Sequence, residues 1–313
     1  MNKIYLITQN IVINEWSDFH MNRYLRYKRV RDIYYSEDNW KRRDEIFKEL
    51  YALVKEGYGK AASLLAHIYN EAEITDVDDK EVKRWYEIAA SLGDGEGIYH
   101  QAFEYYLKDD YPSYVKQVRI AADKGYPMAM YAYALLILHQ NSFKAVEYLK
   151  KASRVGYYDA NYELALIFRY GLYFQNIDYK LVYYYLKKNW DKGYTRGSLM
   201  MGECYDFGIG VRKNHKRART CYQYTIDYTN EYSAYGLLAR HYIYGLGGMK
   251  KDYQKGFELL NLALEKEKED CYPIVYYELG HCYEKGLGTP KDKSKATYYY
   301  DMWHKKEASD FIR

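Results

Sequence analysis

Small and bulky side chains recur along the chain as pairs spaced three residues apart. Each pair predicts an α-helix, because residues at this spacing lie on one helical face. The small member lets a neighbouring helix approach closely, and the bulky member fills the space beside it. We name these predicted segments the A helices. Their pairs are Ala66/Tyr69, Ala102/Tyr105, Ala134/Ile137, Ala165/Phe168, Gly202/Tyr205, Ala239/Tyr242 and Gly280/Tyr283.

A second set of predicted helices, the B helices, lies between the A helices. An Asp or Asn precedes most of them, and such a side chain accepts hydrogen bonds from the free backbone N–H groups of the first turn. These predicted caps are Asp79, Asn141, Asp178, Asn214, Asp252 and Asp292. The B helices have their own small residues, Ala89, Ala121, Ala152 and Ala263. Glycines end the early ones, as expected where the backbone turns left-handed.

Glycines also mark a period. Gly171, Gly208, Gly245 and Gly286 are 37, 37 and 41 residues apart. A period of this length predicts a solenoid in which one helical unit stacks on the next. We therefore expect an all-α solenoid of about eight antiparallel helix pairs over 44–305. Residues 1–43 are expected to cap it with a short extended segment and a basic helix, and 306–313 to form a C-terminal tail.

One loop-containing pattern occurs three times. Its copies are Gly202-x-x-Tyr205-x-x-Gly208-x-Gly210, Ala239-x-x-Tyr242-x-x-Gly245-x-Gly247 and Gly280-x-x-Tyr283-x-x-Gly286-x-Gly288. The pattern resembles the Sel-one-like repeat, a relative of the tetratricopeptide repeat. The resemblance implies a right-handed α/α superhelix and a protein-interaction adaptor. It implies no catalytic residues, because the signature positions of that family are structural.

Composition is consistent with a long helical array. The chain has 313 residues, of which 48% are hydrophobic, 44 are Tyr and only four are Pro. Basic and acidic residues nearly balance, 47 against 43, and this argues against a dedicated nucleic-acid binder. The alternative function rests on a Tyr-interleaved basic stretch from Arg23 to Arg31. Such a helix could contact phosphates and stack on bases.

No residue pattern predicts a catalytic, cofactor or metal site. The Gly-x-Gly loops follow helices, so they predict turns rather than phosphate cradles. The eight His form no short-spaced pair of the kind that binds zinc. We expect Cys204, Cys221, Cys271 and Cys282 to be reduced and buried. The N-terminal segment resembles neither a secretory signal nor a membrane span, so we expect a cytoplasmic protein that does not bind membranes.

The remaining candidates lie on the A helices, one and five positions after each small residue. There we expect side chains to face a concave groove, although the same residues could instead pack on adjacent repeats and be buried. The candidate partner-binding residues are Phe103, Leu107, Leu166, Tyr170, Glu203, Phe207, Arg240, Tyr244, His281 and Lys285.

Apolar groups rimmed by polar ones are typical of interaction sites, and aromatic residues with Arg are typical anchors. We therefore predict a non-enzymatic scaffold or adaptor that binds a protein or peptide in this groove. A narrower version is an immunity or inhibitor protein that sequesters an effector such as a toxin. The sequence leaves the oligomeric state open.

Overall fold

The structure, a computed structural model, describes residues 20–37, 39–71, 75–267 and 271–310. These ranges contain helices and their connections, so the predicted all-α repeat class is confirmed. The predicted extended segment at the N-terminus lies outside the described residues. Contacts divide the chain into two compact units, Met1–Val155 and Gly156–Arg313, and each is described by itself. The predicted domain boundaries at 43/44 and 305/306 stay predictions.

The first unit begins with the predicted basic helix, which spans 20–34 and is named α1. A short 3₁₀ turn, Asn39–Arg42, leads into the next helix. The following helices are α2 (Arg43–Lys55), α3 (Gly59–Glu71), α4 (Asp79–Ser91), α5 (Gly95–Leu107), α6 (Tyr111–Asp123), α7 (Pro127–Ile137) and α8 (Ser142–Arg154). The predicted apolar stripe of α2 is Ile46, Leu50 and Leu53, and all three are fully buried.

The second unit continues the same alternation of A and B helices. Its helices are α9 (Tyr158–Tyr170), α10 (Tyr179–Trp190), α11 (Ser198–Glu203), α12 (His215–Tyr228), α13 (Ser233–Tyr244), α14 (Tyr253–Glu267), α15 (Pro273–Lys285) and α16 (Lys293–Asp310). Each A helix packs on the B helix that follows it. α11 continues into a π-helical turn, Cys204–Gly208, which the sequence pattern did not predict.

The small residues of the A helices are buried where the pattern places them. The five alanines among them have no exposed surface. At Gly202, an added Cβ would lie 2.4 Å from the Cε1 atom of Tyr222 and 3.2 Å from the Cβ of Cys221. At Gly280, it would lie 2.8 Å from the ring of Tyr300. The small column therefore lets an A helix approach a tyrosine ring of its B helix.

Side-chain caps begin most B helices as predicted. Asp178 accepts hydrogen bonds from the backbone nitrogens of the next helix, and Asn141, Asn214, Asp252 and Asp292 do the same. One predicted cap is wrong. Asp78 caps α4, because its extended backbone places the carboxylate on two free N–H groups, while Asp79 is already the first residue of the helix.

The Gly-x-Gly loops are turns that pack against backbone. Gly210 has φ +69°, and a Cβ there would lie 1.8 Å from the carbonyl oxygen of Tyr179. Gly288 has φ +71°, and a Cβ there would lie 2.2 Å from the carbonyl oxygen of Tyr253. Glycine fits both positions for two reasons. The backbone there is left-handed, and a side chain would overlap the start of the preceding B helix. The prediction of turns at these loops is confirmed.

None of the four cysteines forms a disulfide and all four are buried, as predicted. Burial raises the pKa of the Cys204, Cys221 and Cys282 thiols to about 12, so these thiols stay protonated at neutral pH. In the part of the chain that the structure describes, no helix is long and apolar enough to cross a membrane.

We expect Gly202→Ala to destabilise the protein by about 1–3 kcal/mol, although alanine favours helices. The new methyl group would overlap the buried ring of Tyr222. Urea denaturation measures the free energy of unfolding. Gly193→Asn is the matched control, because Gly193 has φ +73° with no atom within 4 Å of an added Cβ. Asparagine tolerates that backbone. A Gly202→Ala variant as stable as wild type would contradict close packing here.

Candidate interaction surface

Eight of the predicted partner-binding residues belong to the second unit, on α9, α11 with its π turn, α13 and α15. We name them the A-helix row: Leu166, Tyr170, Glu203, Phe207, Arg240, Tyr244, His281 and Lys285. Tyr170, Phe207 and Lys285 are exposed. Glu203 is buried, and the other four are partly buried. The row therefore divides into exposed side chains and side chains that lie partly or fully below the surface.

Glu203 uses both carboxylate oxygens inside the protein. Its Oε2 lies 2.5 Å from Nη1 of Arg169, and its Oε1 accepts a hydrogen bond of 2.7 Å from the hydroxyl of Tyr272. The residue is 4% exposed. The sequence analysis expected Glu203 to face a partner. In the structure its carboxylate instead binds Arg169 on the preceding A helix. Its carboxylate is therefore already satisfied before any partner arrives.

The protonation states of this pair follow from burial and charge. Burial alone would lower the pKa of Arg169, but the charge and hydrogen bond of Glu203 raise it above its ordinary value. Burial and the same carboxylate also raise the pKa of Tyr272. The guanidinium stays charged and the phenol stays neutral. The Glu203 carboxylate therefore accepts a charge-assisted hydrogen bond from Arg169 on one oxygen and a hydrogen bond from Tyr272 on the other.

Arg240 links the next A helices of the second unit. Its Nε donates a 3.0 Å hydrogen bond to Oε1 of Glu278 on α15. Its guanidinium carbon also lies 5.3 Å from the ring centroid of Phe207, which is 41% exposed. This distance suits a cation–π contact. Arg240 therefore binds the buried carboxylate of Glu278 and also packs against the exposed ring of Phe207.

Tyr244 extends the same network towards His281. Its hydroxyl donates a 2.6 Å hydrogen bond to Oε2 of Glu278 and lies 2.9 Å from Nδ1 of His281. A hydroxyl has a single proton, so the Nδ1 of His281 must carry the hydrogen in the second contact. Burial and the Glu278 carboxylate raise the pKa of Tyr244. These residues form one continuous polar chain between α13 and α15.

The two candidates of the first unit, Phe103 and Leu107, lie on α5 and are both exposed, Leu107 by 77%. Phe103 belongs to an aromatic cluster with Tyr106 and Tyr114. The ring centroids of Phe103 and Tyr114 are 6.1 Å apart, and those of Tyr106 and Tyr114 are 5.4 Å apart. This cluster differs from the A-helix row because aromatic contacts, rather than ion pairs, hold it together.

A cleft of about 640 Å³ lies beside α3, α4 and α5 in the first unit. Tyr86 and His100 stack in its wall with ring centroids 3.8 Å apart. Lys83 donates a 2.8 Å hydrogen bond to Glu104 across another part of it. Burial lowers the pKa of His100, so its imidazole is neutral at pH 7. The named polar groups of this wall therefore contact one another.

The basic helix α1 contacts the acidic side of α2. Arg26 reaches both Glu49, at 2.5 Å, and Glu56, at 2.8 Å. Arg29 lies 3.0 Å from Glu45. Two of the arginines on which the nucleic-acid alternative rests thus already have carboxylate partners within the first unit.

Comparison with protein families gives matches to the Sel1 repeat over residues 59–94, 127–157, 159–188, 196–226, 233–267 and 273–303. Together these matches cover more than half of the chain. The chain belongs to the Sel1 repeat family. The resemblance that the loop pattern suggested is thereby confirmed, and each matched range consists mainly of an A helix and its B helix.

Two Sel1 repeat structures share the fold. A protective antigen of uropathogenic Escherichia coli, described as having an SLR fold, is 22% identical with a TM-score of 0.62 and is matched over 83% of this chain and 56% of its own. A Sel1 repeat protein from Oxalobacter formigenes is 21% identical with a TM-score of 0.50, over 93% and 85%.

A curated relative is chitin synthase regulatory factor 2 of Schizosaccharomyces pombe. It is 30% identical over 132 residues, which are 42% of this chain and 25% of the relative. The present chain therefore matches only about a quarter of that protein.

The Sel1 matches also separate the candidate residues. The A-helix row lies within matched repeats, whereas Phe103 and Leu107 lie on α5, between two matches. Sequence reasoning missed Arg169 and Glu278, which hold the polar members of the row. A signal existed: Arg169 lies four positions after the small residue Ala165, so it is on the same helical face. An Arg there can meet a Glu on the next A helix.

We expect Glu203→Ala to destabilise the protein by about 3–5 kcal/mol, because it leaves the buried guanidinium of Arg169 without its carboxylate. The double variant Arg169→Met/Glu203→Leu should recover most of this loss, since neither charge remains. Chemical denaturation of both measures the difference. Lys285→Ala, an exposed member of the row, is the control and should change stability by less than about 0.5 kcal/mol. Equal effects of Glu203→Ala and Lys285→Ala would refute the buried pair.

Proposed function

We propose that this chain is a non-enzymatic scaffold that binds a protein or peptide along the A-helix row. Sel1 repeat proteins are generally protein-interaction scaffolds, and the family match supports the same class here. The observation that carries the proposal is the division of the row. Glu203, Arg240 and Tyr244 are held by polar groups of the protein itself. Tyr170 and Phe207 remain exposed on successive A helices.

The buried ion pairs support this proposal through rigidity. Arg169 and Glu203 join α9 to α11, and Arg240 and Glu278 join α13 to α15. Side chains held in this way lose little conformational entropy when a partner arrives. Phe207 benefits directly, because its ring lies against the fixed guanidinium of Arg240. Aromatic rings held beside Arg are frequent anchors of protein interfaces.

The chemistry of the row indicates what a partner must offer. Tyr170 and Phe207 supply apolar area. Lys285 at the α15 end supplies an exposed cation, which lies 3.1 Å from the exposed carboxylate of Glu284. We propose that the partner presents an extended or helical segment with apolar side chains and at least one acidic group. Sequestration of a toxin by an immunity protein stays a narrower prediction. Co-purification with the product of a neighbouring gene would test it.

We expect Tyr170→Ala/Phe207→Ala to weaken partner binding at least tenfold without unfolding the protein, because both side chains are exposed. Arg240 and Tyr244 are left unchanged, since they hold the buried Glu278. The partner is first identified by affinity purification from the native host. The Kd of purified partner is then measured for wild type and variant by calorimetry.

The matched control is Tyr184→Ala/Tyr298→Ala, which removes two equally exposed tyrosines from the B helices α10 and α16. This control should bind like wild type. If the row variant and the control both bind like wild type, the partner uses another surface. If both lose binding equally, the effect is not specific to the A-helix row.

A further inference from the structure

Three side chains capable of ligating a metal converge in the second unit. None of the three belongs to the A-helix row. They are Asp206 in the π turn, His215 at the start of α12 and His241 on α13. One ligand atom from each lies within 4.8 Å of the other two. We propose that Asp206, His215 and His241 form a site for one divalent transition-metal ion, with Zn²⁺ the best match.

The distances are close to those of a metal site. The Nδ1 of His215 lies 2.6 Å from Oδ1 of Asp206, and the Nε2 of His241 lies 3.1 Å from the same oxygen. Ligand atoms around tetrahedral zinc are about 3.3 Å apart, because each bond is about 2.0–2.1 Å long. A shift of less than about 1 Å at His215 would therefore admit the ion. That side chain is 33% exposed, so it has room to move.

His241 supplies the second observation. It has no exposed surface, and neither of its ring nitrogens makes a hydrogen bond within the ranges that the structure describes. Its Nε2 lies 3.1 Å from Oδ1 of Asp206, and this contact lacks the geometry of a hydrogen bond. Around a shared ion, each lone pair points at the ion rather than at the neighbouring ligand. A short N···O distance without a hydrogen bond is thus expected of two ligands of one metal.

The surroundings suit a bound cation. The second oxygen of Asp206, Oδ2, accepts a 3.3 Å hydrogen bond from Tyr222 and lies 3.8 Å from Nη1 of Arg240. These contacts orient Oδ1 towards the imidazoles, as outer contacts of metal-binding carboxylates usually do. The charge of Arg240 is offset by Glu278, 3.0 Å away. The partly exposed His215 leaves a route for the ion and for a water as fourth ligand.

The donor set selects the class of metal. Two imidazoles and one carboxylate suit Zn²⁺, Co²⁺ and Ni²⁺, whereas Mg²⁺ and Ca²⁺ prefer oxygen donors. The ion would join the π turn, α12 and α13, three consecutive elements of the second unit. This would fix the π turn that carries both Asp206 and Phe207.

Calorimetry with ZnCl₂ on the chelator-treated full chain tests the site. We expect one Zn²⁺ per chain and a raised melting temperature, because the ion binds only the folded protein. His215→Ala should weaken binding at least a hundredfold, and His304→Ala, an exposed histidine on α16, should bind like wild type. Equal zinc binding by wild type and His215→Ala would overturn the proposal. So would wild type that binds no stoichiometric zinc.

Cobalt gives a readout that does not depend on whether a variant folds. CoCl₂ added to the wild-type chain should produce the absorption of four-coordinate Co²⁺ with nitrogen and oxygen ligands. A sulfur-to-metal charge-transfer band would instead assign the ion to a cysteine and refute the site. A spectrum of octahedral, fully hydrated Co²⁺ would mean that Asp206 is only a hydrogen-bond acceptor for His215 and Tyr222.

Discussion

The close contact between Gly202 and the ring of Tyr222 is the constraint on which the candidate surface depends. Without a side chain at Gly202, α11 can approach α12 until the ring fills the space where a Cβ would be. The hydroxyl of the same tyrosine then reaches Asp206, one turn further along the A helix. One contact between two helices therefore fixes both the packing of the repeat and the position of its buried carboxylate.

Successive A helices are then held by arginines that reach a glutamate of the following repeat. Arg169 meets Glu203 across 34 residues, and Arg240 meets Glu278 across 38. Buried pairs of this kind add little net stability compared with apolar residues, because both charges must leave water. Their physical effect here is to fix the register of one A helix on the next. A shifted register would leave two buried carboxylates and two partly buried guanidinium groups without partners.

The fold was predictable because it depends on local patterns. Small residues and capping side chains act within one repeat, and the Gly-x-Gly loops recur at a fixed place in it, so the sequence displays all three directly. The polar contacts depend on how repeats stack, so residue spacing alone does not reveal them. Glu203 was expected to face a partner, yet Arg169 buries it. Asp206 lies in a π turn that the sequence pattern does not predict, so residue spacing does not reveal its contact with His241.

Asp206 contacts both the A-helix row and the candidate metal site of the second unit. Its Oδ2 faces Arg240, which holds Phe207 at the surface, and its Oδ1 faces the two histidines. Substituting Asp206 would therefore disturb the A-helix row and the candidate metal site together, and the two roles could not be told apart. Phe207 and His215 are separable, because each is partly exposed and each belongs to one feature alone. Surface binding and ion binding can thus be measured independently on one folded chain.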